Sequence, residues 1–150
     1  MRLTRVLKPF DDPDYIFELK HDGFRAIAYI EDGKCKLVSR NQNPFNFLFL
    51  SVALGKLPIE NAILDGEVVC VDANGVSQFN HLISRKHEPV FYVFDLLWLN
   101  DKDLRRLPLI DRKQHLERRK VVAESFCTRT ISWPMALDCL WEFVRGIWKE

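Results

Sequence analysis

Residues 24–39 read FRAIAYIEDGKCKLVS, and the reading of this stretch decides the class of fold. Aromatic and β-branched residues dominate both arms, which predicts strands over FRAIAYI at 24–30 and CKLVS at 35–39. Between them lies EDGK at 31–34. Asp-Gly readily takes the positive φ angles of a tight hairpin turn, so the arms are expected to pair antiparallel. Upstream, YIFEL at 15–19 has the same β character and is separated from the first arm by KHDG. The opening third therefore reads as an antiparallel meander, with Lys20 at the mouth of its first hairpin.

Further along, FNFLFLSVALGKLP at 45–58 is too long and too uniformly apolar for one strand, and Gly55 and Pro58 supply a helix end. A buried helix is expected there. AILDGEVVCVD at 62–72 and VFYVFDLLWL at 90–99 read as two central strands. From LPLIDRKQHLERRK at 107–120 the spacing turns helical, with Leu109, Ile110 and Leu116 as its apolar positions. Ser132 and Pro134 mark the start of a last helix bearing an apolar stripe that includes Trp141 and Trp148. Strands and helices together, opening on an antiparallel meander, are what these patterns predict.

Composition fits that expectation. The 150 residues are 47% hydrophobic, 12% aromatic and 29% charged, a globular balance able to bury a core without disulfides. Twenty-two basic residues against 21 acidic ones leave a net charge of +1, so no whole-molecule field draws in a polyanion. Cys35, Cys70, Cys127 and Cys139 form no CxxC pair and read as small core residues in a reducing compartment. His81, His87 and His115 show no metal-ligand spacing. No apolar run approaches the ~20 residues of a membrane span, and a cytoplasmic location is expected.

An amine is a nucleophile only when deprotonated, which burial or neighbouring positive charge favours. Lys20 follows an apolar run and has Arg25 nearby, a permissive setting. Taken alone, a lysine at a strand end is ordinarily a surface residue with a snorkelled stem. It is not alone. VSRNQ at 38–42, LDGEVV at 64–69 and FYVFDLL at 91–97 follow it in order, each at a strand end.

Lys20-His21-Asp22-Gly23-Phe24-Arg25 resembles the K-x-D-G-x-R nucleophile motif of the covalent nucleotidyltransferases, which include ATP-dependent DNA ligases, RNA ligases and mRNA capping enzymes. The S-R-N, D-G-E and F-D-L-L stretches resemble that superfamily's next three motifs. FELKHDGFRA at 17–26, together with LRRLPLIDRK at 104–113, is most similar to the bacterial ATP-dependent DNA ligases of the ligase D type. The resemblance covers roughly residues 13–113 and implies a nucleotidyltransferase (ATP-grasp-like) adenylation domain, an α+β fold of antiparallel sheets with flanking helices.

What the resemblance implies about chemistry is specific. Lys20 would attack the α-phosphate of ATP, release pyrophosphate and hold AMP, with Mg²⁺ as cofactor and nicked DNA as the final partner. Glu18 would meet the adenine edge, and Arg25 and Arg40 would donate to ribose and phosphate. Glu67 would contact the ribose or help a metal site, and Phe94 would stack on the purine. Metal ligands are otherwise unassigned. Asp22, Asp65 and Asp95 lie inside the motifs without a definite role, and His21 fills a variable position.

The family continues with an E-G-x-x-x-K strand, a lysine-bearing final motif and, in ligases, an OB-fold domain. None of these is found in the 150 residues, whose stretch from about 121 to 150 is an atypical helical tail. The expectation is therefore a partial adenylation domain over 1–150, from a truncated, frameshifted or split protein with a complementing C-terminal partner. Impaired nick sealing follows from that. An RNA ligase or capping-type transferase shares the lysine chemistry, and a non-catalytic nucleotide- or partner-binding remnant fits the absent motifs. The basic stretch Lys102, Arg105, Arg106, Arg112, Lys113, Arg118, Arg119 and Lys120 is interleaved with acids and reads as a solvated face with some capacity for DNA contact.

Overall fold

The computed structural model describes residues 6–8, 10, 12–85, 87–118 and 126–127. The chain divides into two units, 20–129 and 1–19 with 130–150. In the described part of the smaller unit, the Asp12 carboxylate accepts the Asp14 N–H at 2.9 Å and its carbonyl accepts from Tyr15 at 3.1 Å. The Phe10 ring packs edge-on against Tyr15 and tilted against Phe17, with centroids 5.0 and 5.7 Å away.

The larger unit is built on one sheet. Its strands are β1 (Phe24–Glu31), β2 (Lys34–Ser39), β3 (Asn61–Val69), β4 (Val90–Leu99) and β5 (Lys102–Asp103), in the order β2-β1-β3-β4-β5. Neighbours on that path are antiparallel, and β6 (Phe126–Cys127) pairs with β4 in parallel. Helices α1 (Leu48–Gly55), α2 (Phe79–Ser84) and α3 (Leu109–Arg118) complete it. This is the α+β, antiparallel architecture expected from the sequence.

The β1–β2 hairpin forms as the Asp-Gly signal requires. Asp32 and Gly33 sit at φ 49° and 72°, both left-handed, and Glu31 pairs with Lys34 across the turn. Alternation along β1 then sends Ala26, Ala28 and Ile30 into the core. They meet Leu37 of β2, Leu64 and Val68 of β3, and Phe91, Val93 and Leu96 of β4. Leu50 and Leu54 of α1 and Leu82 of α2 belong to the same core. Cys70 is buried and Cys35 half-buried, and burial pushes the Cys35 thiol up to about 12.

Two sequence expectations are corrected. The hairpin between 15–19 and 24–30 does not form, because both edges of β1 are taken, one by β2 and the other by β3. Only Phe17 in that upstream run makes a bridge. The apolar run at 45–58 is also not one buried helix. Pro44 bridges Val38, Phe45 N–H donates to Leu37 carbonyl at 2.9 Å, and Phe45 stacks on Phe24 at 5.8 Å. Those strand-like contacts hold the run extended until Leu48, and the helix that follows leaves Leu48, Phe49 and Val52 exposed. The tryptophan-bearing last helix expected after Ser132 lies outside the described residues. No helix among the described residues is long and apolar enough to cross a membrane.

Candidate active site

Antiparallel pairing brings the motif residues to one end of the sheet. Lys20 precedes β1, Arg40 follows β2, Glu67 lies near the end of β3, and Phe94 lies in the first half of β4. Arg25 is paired directly with Glu67, and Ile27 with Asp65, so these side chains share the face opposite Ala26 and Val68. Arg40 follows Ser39, the partner of Ala26. Its turn is closed by Ser39, whose carbonyl accepts from Gln42 at 2.8 Å and whose hydroxyl accepts from Asn43 at 3.1 Å.

The approach of Lys20 to this face is fixed by its neighbours. A Cβ on Gly23 would collide with the Val68 carbonyl oxygen and lie 2.6 Å from Val69 Cγ1, so only glycine lets the chain run this close to β3. Asp22 N–H donates to the Ser77 hydroxyl at 3.0 Å. Ser77 is itself placed by the turn at 72–77. There the Asp72 carboxylate accepts from Asn74 and Val76 N–H and from the Gln78 amide, bonds that hold it below the usual carboxylate range. His21 stacks on Tyr92 with centroids 4.0 Å apart. The residue in the variable position of K-x-D-G-x-R thus anchors the lysine loop to β4.

Charge is dense on the shared face. Arg25 makes a two-point contact with Asp65, Nε to Oδ1 at 3.1 Å and Nη2 to Oδ2 at 2.7 Å, which raises its own proton affinity further. The Arg25 side chain remains 55% exposed, so this pair is a positioning contact more than a source of stability. Its guanidinium lies 5.1 Å above the Phe94 ring. Glu67 is half-buried. Burial pushes its carboxyl up, while Arg25 and Lys20 pull it back down and Asp22 and Asp65 add to the rise. Lys20, Asp22, Arg25 and Asp65 therefore all act on the Glu67 carboxyl. Glu18 is exposed and belongs to the smaller unit.

Phe94 owes its place to an irregular strand. Gly66 pairs with Val93 and Asp65 with Asp95, which leaves Phe94 as an extra residue bulged out of register. A second shift, between Ile63–Trp98 and Leu64–Leu96, leaves Leu97 extra. The carbonyls of both bulged residues bond to groups outside the β3–β4 pair. Leu97 carbonyl accepts from Leu104 N–H at 3.0 Å, and Phe94 carbonyl accepts from the Lys113 ammonium at 2.8 Å. Arg112 grips the adjoining Asp95 carboxylate at both oxygens, at 2.7 and 2.9 Å, and donates to the Leu107 carbonyl at 2.6 Å. Gly66 is again a close-approach glycine, because a Cβ there would strike the Tyr92 carbonyl oxygen and the Phe91 ring.

This corrects the reading of the basic stretch. Lys113 is 3% exposed, and the Arg112 side chain 15%, so both point inward and are not part of a solvated face. The signal was present in the sequence. On a helix, positions 112 and 113 lie four and three residues before Leu116, which is buried. Arg105, by contrast, is on the surface and pairs with Asp103 at 2.7 Å.

Among the described residues no three histidine, cysteine, aspartate or glutamate side chains converge as a cation site. Asp65 and Asp95 are each engaged by a guanidinium. A divalent cation is thus not accommodated by these groups alone.

A sheet end that gathers a loop lysine, arginines, carboxylates and an aromatic ring offers the groups a nucleotide needs, and comparison with known proteins gives the family. The chain belongs to the ATP dependent DNA ligase domain family, whose model matches residues 2–128. It is 32% identical over 119 residues to the SPbeta prophage-derived DNA ligase-like protein LigB of Bacillus subtilis, covering 75% of this chain and 44% of that one. It is 35% identical over 111 residues to the multifunctional non-homologous end joining protein LigD of Pseudomonas aeruginosa, covering 69% of this chain and 13% of the relative. The ligase domain of Mycobacterium tuberculosis LigD superposes with a TM-score of 0.74 at 26% identity, over 85% of this chain and 44% of that one. A mycobacterial DNA ligase D solved with ATP and MES gives 0.73 at the same identity and coverage. The chain spans less than half the length of each of these proteins.

Proposed function

We propose that residues 1–150 form part of an adenylation domain of an ATP-dependent DNA ligase, and that Lys20 is its nucleophile. The lone pair of the deprotonated Lys20 Nζ would form a bond to the α-phosphorus of ATP. The bond from that phosphorus to the bridging oxygen would break, and pyrophosphate would leave with the electron pair while the amine proton passes to solvent. Enzyme-bound AMP is then available for transfer to the 5′-phosphate of nicked DNA.

The observation that carries this reading is the gathering of Arg25, Asp65, Glu67 and Phe94 on one face of the sheet, with the Lys20–Gly23 loop anchored at the start of β1. Phe94 offers the flat, sequence-tolerant surface that a purine needs. Arg25 and Arg40 supply donors toward ribose and phosphate, Glu67 a carboxylate for the ribose hydroxyls, and Glu18 an acceptor for the adenine amine. ATP bound to the related mycobacterial ligase D supports the choice of nucleotide.

Phosphoryl transfer also needs groups that offset charge on the phosphates. The 150 residues contain no E-G-x-x-x-K strand and no lysine-bearing final motif, so they hold nucleoside better than they transfer phosphate. Nick sealing would need Mg²⁺ and a complementing C-terminal segment. The test is a nicked-duplex assay on the 150-residue chain and on a chimaera in which residues after about 120 are replaced by the C-terminal part of a related ligase. The chimaera is expected to regain adenylation first and sealing second. Efficient sealing by the 150 residues alone would overturn this division of labour.

A further inference from the structure

We infer that Arg112 and Lys113 are positioning residues for nucleotide binding, which act by locking the bulge that aims Phe94 into the site. This inference rests on the reading of Phe94 as the purine platform. It adds two residues that neither the motifs nor the basic composition of α3 assign.

In a regular strand the side chain of a residue next to Val93 would be fixed by the pleat. Here the count is uneven, with Gly66 opposite Val93 and Asp65 opposite Asp95, so the ladder itself does not determine the conformation of Phe94. Something else must hold it. The Phe94 carbonyl accepts from the ammonium of Lys113 at 2.8 Å. The next residue, Asp95, is held through both oxygens by Arg112, and its Oδ1 also caps the Leu96 N–H at 2.8 Å. Two adjacent side chains of α3 therefore hold the chain just after the Phe94 Cα, Lys113 at the Phe94 carbonyl and Arg112 at the Asp95 carboxylate. The largely buried fork to Asp95 raises the Arg112 guanidinium further, so Arg112 stays charged at any working pH.

On the site face, Arg25 reports where the ring is. Its guanidinium is tied to Asp65 at 2.7 Å and lies 5.1 Å above the Phe94 ring, close enough for the ring current to displace its Hε resonance. Removing the clamp should let the ring turn away while the Arg25–Asp65 pair persists.

The experiment combines two readouts on the unsubstituted chain, Phe94→Ala, Arg112→Gln, Lys113→Met and the double variant Phe94→Ala with Arg112→Gln. Proton–nitrogen spectra give the Arg25 Hε shift without nucleotide, and titration gives ATP affinity. The Hε resonance should move in Arg112→Gln and Lys113→Met toward its position in Phe94→Ala. Phe94→Ala should weaken ATP binding about 5- to 150-fold. Arg112→Gln and Lys113→Met should each weaken it several-fold, and the double variant should bind no more weakly than Phe94→Ala alone.

An unmoved Arg25 resonance in folded Arg112→Gln and Lys113→Met would overturn the inference, and so would losses that multiply in the double variant. Should Arg112→Gln fail to fold, Lys113→Met decides alone, since it keeps the apolar stem and removes only the donor. Failure of the functional reading looks different. The unsubstituted chain would then show no ATP binding, while the Hε shifts still report whether α3 sets the ring.

Discussion

Replacing Gly66 by alanine tests how the site face is built, because the glycine lies between the two carboxylates of LDGEVV. An added Cβ would collide with the Tyr92 carbonyl oxygen and lie 2.7 and 2.8 Å from Cε2 and Cζ of Phe91. Neither obstacle can yield cheaply. The carbonyl belongs to the paired strand β4, and Phe91 is fully buried. Overpacking of this kind costs about 1–3 kcal/mol, and backbone as the obstacle places Gly66→Ala at the top of that range. The lower entropy of the unfolded alanine chain offsets up to about 1 kcal/mol, leaving a net loss of about 2 kcal/mol. At roughly 4 °C per kcal/mol for a chain of this size, the melting temperature should fall by about 8 °C. Gly75→Ala is the control, because that glycine has φ +78° but nothing within 4 Å of its Cβ position. Its loss is conformational, about 1 kcal/mol, and about half the shift in melting temperature is expected. The assay is thermal melting followed by circular dichroism, with urea titration as a second probe. A Gly66→Ala variant as stable as the parent, or more stable than Gly75→Ala, would refute the close-packed geometry of β3 and β4.

Glu67→Gln should raise the melting temperature near neutral pH. Burial raises the folded-state pKa of Glu67 above its unfolded value, so its contribution is fully favourable below the unfolded pKa and is lost as pH rises through the folded one. The gain from Gln should therefore shrink toward about pH 4, and a pH-independent difference in melting temperature would contradict it. Phe94→Ala should reduce ATP affinity by about 1–3 kcal/mol, more than it reduces stability, because the ring is only part-buried and stands on the site face. Paired melting and titration curves decide, and a variant that loses several kcal/mol of stability yet binds ATP normally would make Phe94 a core residue.

Much of this architecture was legible from local chemistry. Asp32-Gly33 dictates a left-handed turn, and the alternation in FRAIAYI chooses the core face, so the β1–β2 hairpin and its register follow from a dozen residues. The run at 15–19 has equal β character but no local signal that β1 would have both edges occupied, one by a strand 30 residues later. Pairing across that distance is a tertiary choice. Helix α1 was overextended for a related reason, since Phe45 and Phe47 are apolar in either conformation and packing against Phe24 decided for the extended one. In the candidate site, residues that meet ligand are readable because their chemistry restricts residue type. Those that hold the framework, such as His21 on Tyr92 or Lys113 on the Phe94 carbonyl, are not. A bulge in β4 decides the need for Lys113, and bulges leave no mark in an apolar sequence such as VFYVFDLLWL.

The most direct test of the account is covalent labelling of Lys20. The chain, or its chimaera with a ligase C-terminal part, is incubated with α-labelled ATP and Mg²⁺, denatured and digested, and the labelled peptide is sequenced by mass spectrometry. The account predicts an acid-labile AMP adduct on Lys20 that is absent from Lys20→Ala and restored neither by Lys113 nor by any lysine of the basic stretch. Equal labelling of the Lys20→Ala variant, or an adduct mapped to another lysine, would contradict it.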